Sequence, residues 1–575
     1  MSGLALLRKR IDHAARFTSL LLVLLLLSTT ATPAVPVAAG TTNSAEVKLS
    51  NPVSRDDYVV VSSWGKSYLA VNGQGKKLLY LEGDAYQRGY ATGKLCPRSV
   101  YRMTHDYIFN LVSTMVPGTL GMEIDPQALQ QLLRVVWPLC QVVVMANMDA
   151  VPREFLEEMR GVADGCRSEG YDVTWLDVLT LNLGFDVLES LFAGPFSLIA
   201  CNQFAVFGEG TTDGRLYHGR DFMFTTGGDV FSDEALLIIH KPTRGYPLVA
   251  SAAPGMVGVP TALNSRGVSC AMDMVASFLT RPIITGEGTL LLCRKAVQFG
   301  GSLDEAVALI RDSDRGVPWL FMLADGFRRD AVVLETVASS MVPPADHAKT
   351  YIGRLVGGII DMLFPGLRGN GCSDKPLSSS GEDGEDRLKT LLPPSVDDSA
   401  LSPEAGVELE DKNGVMERRA TYRDPDGLVR LVSEAKANGN EFLAYLFPLQ
   451  GESLPDLLAM TNHYIIPWRA LTFPSTGKEK RDSLWRYETM LGLLLEAYGR
   501  IDRTLAMWII DFLNPARCDY YGTDTTQSVK GHHVLMDNRE KEIWSLHGYY
   551  DGAWAHVDLD DFLGGRKPRK KARSR

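Results

Sequence analysis

From Cys201 to Val275 the chain reads as a nearly unbroken series of short strands with no helix between them, and this run constrains the fold more than any other feature. NQFAVFG, RLYHGRDF, EALLIIHK, YPLVASA, GVPTALN and GVSCAMDMV are apolar, β-branched-rich segments of strand length. Turn signals such as Asp213-Gly214 and Arg266-Gly267 part them. Strands joined by short turns pair antiparallel, because a parallel pair needs a crossover of about a dozen residues. Two helical segments follow, LLLCRKAVQF and LDEAVALIRD, the second capped by Ser302, and then strands WLFMLAD and AVVLET. Strands, helices and strands again predict an α+β fold of antiparallel sheets layered with helices, not a βαβ fold.

Upstream of this block the pattern differs. Tyr58 to Leu81 is strand-like (YVVVSS, SYLAV, KKLLYLEG), broken by Gly and Asn turns. Ala85 to about Leu191 has helical spacing: one segment starts at Pro126, a second at Pro152, and Thr174 caps a third, TWLDVLTLNLGFDVLESL. Residues from about Asn370 to Asn413 are acidic and rich in Ser and Pro, and read as a disordered surface insertion. Beyond it, DGLVRLVSEAKA, SLWRYETMLGLLLEAYG and DRTLAMWIIDFL have helical spacing, and VLMDN with EIWSL reads as a last strand pair. The basic end at 565–575, GRKPRKKARSR, reads as a solvated disordered tail.

The first 39 residues read as a signal peptide rather than structure. Arg8, Lys9, Arg10 and Arg16 precede an apolar core at Leu20 to Leu27, and Val37-Ala38-Ala39 suits a signal peptidase before Gly40. A membrane anchor is the competing reading, but the apolar run is short for a span. Export to a secreted, periplasmic or lysosome-like location follows, with no stable membrane span afterwards. The length of 575 residues allows two or more domains, and a net charge of −10 speaks against nucleic acid as the main partner. The eight cysteines are scattered, without CxxC or metal-ligand spacing, so no metal and no cofactor is expected. Cys270 and Cys293 lie in apolar runs and read as buried small hydrophobes.

The most informative stretch is CNQFAVFGEGTTDGRLYHGRDF. A cysteine opens a strand, Asp213-Gly214 reverses the chain, and the return strand brings Arg220 and Asp221 back toward the cysteine. A thiol with a reference pKa near 8.5 needs help to ionise at neutral pH, and a nearby arginine supplies fixed positive charge. His218 would share a face with Arg220 and point away from Asp221. If the Ala200–Cys201 bond opens, the new α-amine, with a reference pKa of about 7.7–8.0, becomes an alternative base. On spacing alone, an inert buried cysteine is the commoner outcome.

The stretch resembles the N-terminal-nucleophile hydrolases of the penicillin acyltransferase (acyl-coenzyme A:6-aminopenicillanic acid acyltransferase) family, which is related to the choloylglycine hydrolases. The matching elements are Cys201, FAVFG, Asp213-Gly214 and Gly219-Arg220-Asp221. EGDAYQRGYATGKL (Glu82 to Leu95) and EFLEEMRGVADG (Glu154 to Gly165) resemble its two propeptide-side signatures, and PGMVGVPTALNSRGVSCAMDMV resembles its G-x-x-G…N-x-x-G strands. TNHY at Thr461 to Tyr464 and SLWRY at Ser483 to Tyr487 resemble its T-N-H and S-x-x-R segments. The resemblance covers about Leu81 to the end, apart from the acidic insertion. It implies an αββα sandwich behind an upstream helical propeptide-side block. The regions would be 1–39 (signal), 40–200 (α fragment) and 201–575 (catalytic β fragment), with the two fragments associated after cleavage.

The same resemblance makes Cys201 the nucleophile, Ala200–Cys201 the self-cleavage point, Asn462 the oxyanion donor, and Arg220 and Arg486 site arginines. Asp221 and Asp273 complete the set, with three departures. The family carries Asn at 221 and 273 and an acid where Met223 stands. An ionised carboxylate donates no hydrogen bond, which leaves the backbone N–H of Asp273 as the donor available there. Plainer readings stand beside these: a surface ion pair for Arg220, a turn cap for Asn462, an exposed helix position for Arg486, a solvent-facing acid for Asp273, and a structural His463. The implied activity is hydrolysis or acyl transfer at non-peptide amide bonds of a small N-acyl or lipid-like substrate, through a thioester. A phospholipase B-like ester hydrolase and an inactive secreted binding protein are the alternatives.

Overall fold

A computed structural model describes residues 53, 57–111, 137–138, 140–192, 199–224, 230–275, 281, 284–339, 407–413, 415–419, 421–423, 452–464, 478–512, 531–547, 553–564 and 569–570. The expected signal peptide, the helix starting at Pro126 and DGLVRLVSEAKA lie outside them, wholly or in large part. The strands in chain order are β1 (Val59–Trp64), β2 (Ser67–Val71), β3 (Lys77–Gly83), β4 (Ile199–Val206), β5 (Tyr217–Phe224), β6 (Leu236–Pro242), β7 (Leu248–Ala252), β8 (Thr261–Asn264), β9 (Val268–Met274) and β10 (Trp319–Asp325). They continue with β11 (Asp330–Thr336), β12 (Val407–Lys412), β13 (Val415–Arg418), β14 (Thr421–Arg423), β15 (Glu452–Leu454), β16 (Leu457–Met460), β17 (Gly531–Asp537), β18 (Glu542–Leu546), β19 (Ala555–Asp558) and β20 (Arg569–Lys570).

Twelve strands form one sheet in the order β12-β13-β11-β10-β9-β8-β7-β6-β3-β2-β1-β20, and six form a second, β16-β4-β5-β17-β18-β19; β14 and β15 pair separately. Neighbours are antiparallel except β3–β6 and β1–β20. The two sheets face each other, with β4 and β5 lying over β9. Helices α4 (Thr289–Phe299) and α5 (Leu303–Arg311) cover the outer face of the large sheet. Helices α6 (Lys478–Glu496) and α7 (Arg503–Phe512) cover the outer face of the small one. The result is an α+β sandwich with the order helix, sheet, sheet, helix. β6 to β9 are buried along both faces apart from the last two residues of β6, which explains why their sequences are mostly apolar instead of alternating.

The upstream region forms no separate layer of its own. β3 pairs with β6, so strands from both sides of Cys201 share the large sheet. Helices α1 (Ala85–Leu95), α2 (Arg153–Ser168) and α3 (Trp175–Phe192) pack beside it. Each start has a local cause. Asp84 and Gln87 form a reciprocal capping box at α1. At α3 the Thr174 hydroxyl accepts from the Asp177 N–H at 3.2 Å and the Asp177 carboxylate accepts back from the Thr174 N–H at 2.9 Å.

Glycines at four-residue spacing, Gly89 and Gly93 on α1, Gly161 and Gly165 on α2, allow the backbones of these two helices to touch. A Cβ on Gly89 would sit 1.9 Å from the Glu158 carbonyl, and one on Gly161 would sit 2.2 Å from the Tyr86 carbonyl. The buried Arg88 guanidinium ties the same crossing to Gly83 O at 2.9 Å and to the Glu158 carboxylate. The two segments that resemble propeptide signatures are therefore the two halves of one helix clasp.

Two expectations are corrected. Val407–Lys412, placed by the sequence inside a disordered insertion, forms β12 on the edge of the large sheet, with Val407 opposite Arg418. Its acidic residues lower intrinsic strand preference, but pairing with β13 overrides that preference. In the basic tail, Arg569–Lys570 pairs with Val59 and Val60 at the opposite edge.

Candidate active site

Cys201 is the third residue of β4, and β5 runs antiparallel to it with Cys201 opposite Phe222, Asn202 opposite Asp221 and Gln203 opposite Arg220. Alternation of side chains along a strand then assigns the faces. Cys201, Gln203, His218, Arg220 and Phe222 face β9 and the interior between the sheets, while Asn202 and Asp221 face α6 and α7. The connection between the strands spans 207–216 and is not a two-residue hairpin. Asp213-Gly214 is a turn within it, with Gly214 at φ 68° and the Arg215 N–H donating to Asp213 at 3.1 Å. The extra residues are held by distant partners: Glu209 N–H donates to Asp456 and Thr212 N–H to the Ile501 carbonyl. Gly219 is required on the return strand because a Cβ there would meet the Phe204 ring at 2.6 Å.

On its other side β4 pairs with β16, but only as far as Met460 opposite Gln203. Beyond that point two side chains continue the ladder. The Cys201 N–H donates to Asn462 Oδ1 at 2.7 Å, and Arg486 Nη1 donates to the Cys201 carbonyl. The same guanidinium donates to Asn202 Oδ1 at 2.6 Å and to Asn462 Oδ1 at 2.9 Å. Asn462 Nδ2 donates to the Met274 carbonyl at 2.7 Å; among the described residues the second hydrogen of that amide has no acceptor. The TNHY and SLWRY segments are joined directly: the Thr461 hydroxyl donates to the Ser483 carbonyl at 3.1 Å, and His463 Nδ1 lies 2.9 Å from Ser483 Oγ.

Around the thiol, Arg220 Nη2 lies 4.0 Å from Cys201 Sγ, donates to the Met272 carbonyl, and stands 3.6 Å from Asp273 Oδ1. The Arg220 guanidinium also stacks on the Phe222 ring, its Cζ 4.4 Å from the ring centroid. Gln203 Nε2 donates to Asp273 Oδ1 at 2.6 Å. Cys201, Arg220 and Asp273 are buried. Burial pushes the thiol pKa upward, and the charge of Asp273 adds to this; Arg220 and Arg486 pull against it. In the uncleaved chain the sulfur is therefore a protonated thiol. Burial likewise pushes the Asp273 carboxyl up to about 6, against the opposing pull of Arg220, the Gln203 hydrogen bond and Arg486.

Five of the sequence-selected residues, Cys201, Arg220, Asp273, Asn462 and Arg486, thus meet in one buried cluster, and Ala200 lies beside it in β4, opposite Met223. Asp273 is not a solvent-facing acid, Arg220 is not part of a surface ion pair, and Arg486 is not exposed. Asp221 lies on the far face: it accepts from Asn202 Nδ2 at 3.2 Å, and His533 Nε2 is 3.2 Å from its Oδ1. His533 in turn lies 3.7 Å from Asp511. Asn202, Gln203 and His533 were not singled out from the sequence. The available signal was a pair of adjacent amides directly after the cysteine in an otherwise apolar strand.

Among the described residues there is no group of three or more His, Cys, Asp or Glu side chains able to hold a metal ion. The cysteines described are free thiols. No helix among the described residues is long and apolar enough to cross a membrane.

The molecule is thus an α+β two-sheet sandwich with a buried, cysteine-centred site where the sheets face each other. An uncharacterized protein of Archaeoglobus fulgidus is 34% identical over 503 residues, spanning 86% of this chain and 67% of that protein, and the chain belongs to the same family. No family model matches the chain. Solved structures that resemble it include a Caenorhabditis elegans N-acylethanolamine-hydrolyzing acid amidase ortholog (11% identity, TM-score 0.30, 59% of this chain and 93% of that one). A variant conjugated bile acid hydrolase from Clostridium perfringens (11%, TM-score 0.31, 63% and 93%) and penicillin V acylase from Agrobacterium tumefaciens (11%, TM-score 0.29, 62% and 86%) are similar to the same degree.

Proposed function

We propose that this chain is an exported, self-cleaving amide hydrolase or acyltransferase of the N-terminal-nucleophile type, with Cys201 as the nucleophile. The observation that carries the reading is the grip on the backbone of Cys201. Asn462 holds its N–H and Arg486 its carbonyl, while Arg220 stands at the thiol. Any buried backbone N–H and C=O needs a partner. Here two polar side chains supply both, and a buried arginine stands at the sulfur as well, which packing alone does not require.

In the precursor the Cys201 sulfur attacks the Ala200 carbonyl, the peptide C–N bond breaks, and water hydrolyses the resulting thioester. The products are a fragment ending at Ala200 and one beginning at Cys201. The α-amine so created stays where Asn462 Oδ1 held the former N–H and serves as base for its own thiol. The Arg486 cation beside it favours the neutral, basic form of that amine. The thiolate then attacks the amide carbonyl of an N-acyl substrate. The free hydrogen of Asn462 Nδ2 stabilises the oxyanion, the amine protonates the leaving nitrogen, and water or an acceptor amine resolves the thioester.

Intact-mass analysis and N-terminal sequencing of the exported protein test the reading. Two fragments with a new N-terminus at Cys201 are expected, and a Cys201→Ala chain remains whole. A wild-type chain running unbroken through Ala200–Cys201 overturns it. Assays with N-acyl amides against lysophospholipids then distinguish amide from ester chemistry.

A further inference from the structure

Self-cleavage poses a problem that the mature enzyme does not have. Until the Ala200–Cys201 bond opens there is no α-amine to accept the thiol proton, and the buried thiol is held protonated. Three titratable side chains on the adjoining strands could take that proton. His218 shares a face with the thiol, but both its ring nitrogens are engaged: Nδ1 lies 2.8 Å from Ser269 Oγ and Nε2 lies 3.1 Å from Gln203 Oε1. Burial also lowers its pKa to about 3. Asp221 faces away, toward Asn202 and His533. Asp273 remains.

Asp273 reaches the cluster from the opposite sheet. Its Oδ1 is taken by Gln203, and Arg220 Nη2 is common to both groups, 3.6 Å from the carboxyl and 4.0 Å from the sulfur. Its Oδ2 is buried and has no hydrogen-bond partner among the described residues. Its charge acts on the thiol more strongly than that of either arginine.

Resting on the reading above, we propose that Asp273 is the proton carrier of the maturation step. The thiol gives up its proton to Oδ2 as the S–C bond to the Ala200 carbonyl carbon forms. The carbonyl π pair moves onto oxygen. When the intermediate collapses, the C–N bond breaks and Asp273 returns the proton to the departing Cys201 nitrogen, so no proton is gained or lost. The groups facing this carboxyl are Arg220 on β5 and Cys201 and Gln203 on β4; the charges of Asp221 and Arg486 act on it from the far face of the small sheet. With its pKa pushed up to about 6, the carboxyl is an effective base near neutrality.

The test follows the cleavage of purified full-length precursor by intact mass between about pH 4 and 9, a range set by the ordinary carboxyl and thiol pKa values. The wild-type rate is expected to rise with pH through an inflection near 6. Asp273→Asn, which keeps the acceptor for Gln203, is expected to slow cleavage about 100-fold or more and to lose that inflection. Asp273→Glu retains a carboxyl, and restored cleavage with the inflection present supports the assignment even if the Asn variant folds poorly. A purely structural role does not move the pH profile. A wild-type profile without the inflection, or an Asn variant that keeps it, overturns the assignment of Asp273 while self-cleavage itself stands. An uncleaved wild-type chain overturns both.

Discussion

Replacing Gly161 with alanine adds a single methyl group, at a place where α1 and α2 leave no room for one. Helix propensity alone favours the change by about 1 kcal/mol, because alanine loses less backbone freedom on folding than glycine. The structure reverses that sign. The added carbon would lie 2.2 Å from the Tyr86 carbonyl oxygen and 2.7 Å from the Tyr90 nitrogen, against ordinary contacts beyond 3.4 Å. Both neighbours are backbone, so the helices must separate by about 1 Å. Overpacking of this kind costs about 1–3 kcal/mol. Separation also strains the buried Arg88–Glu158 pair, for which complete loss of one partner costs about 3–5 kcal/mol. A net destabilisation of about 3 kcal/mol is expected, near the top of the overpacking range.

Gly492 on α6 is the internal control. It is exposed and would meet nothing within 4 Å, so Gly492→Ala is expected to stabilise by about 0.5–1 kcal/mol. Urea unfolding followed by tryptophan fluorescence, with both variants in the Cys201→Ala background to keep the chain whole, measures the difference. If the two variants agree within about 0.5 kcal/mol, the close crossing of α1 and α2 is refuted.

Other outcomes follow from the same geometry. Arg486→Lys keeps a charge but not the planar fork that reaches Cys201, Asn202 and Asn462 together. Cleavage should slow about 100-fold by intact mass, since misplacing a reacting group by 1 Å has effects of that order; a wild-type rate contradicts this. Asp186 is buried, accepts from the Thr289 N–H at 2.7 Å, and has its pKa pushed up to about 7 by burial. Its folded pKa exceeds its unfolded one, so its contribution to stability is complete below about pH 4 and is lost as pH rises through about 7. Urea titrations at pH 5 and 8 should therefore show Asp186→Asn gaining on the wild type as pH rises, and a constant difference contradicts the assignment.

Much of the core around Cys201 was legible because its determinants are local. The strand runs after Cys201, the Arg266-Gly267 turn and the Thr174 and Ser302 caps are each set by a few adjacent residues. What escaped was decided by distant ones. Asp213-Gly214 looks like a complete hairpin until Asp456 and Ile501 are seen holding the residues before it. Val407–Lys412 looks like solvated acid until β13 pairs with it. For Asp273 a site role and a solvent-facing acid stand side by side in the sequence, because nothing near it there announces the opposing sheet. The division of Asn202 and Gln203 between two faces follows from alternation, but which face holds the thiol's partners depends on β9 and α6.

On the proposed function, the grip on Cys201 also fixes when the chain can act on itself. Asn462 and Arg486 lie 261 and 285 residues beyond the nucleophile. The sulfur therefore enters a competent environment only after α6 has been synthesised and has docked on the small sheet. A ribosome-bound or truncated chain lacking that helix holds the same cysteine with neither contact in place. On the proposed function, cleavage reports that a helix 285 residues downstream of the nucleophile has docked, and the cut works as a folding checkpoint.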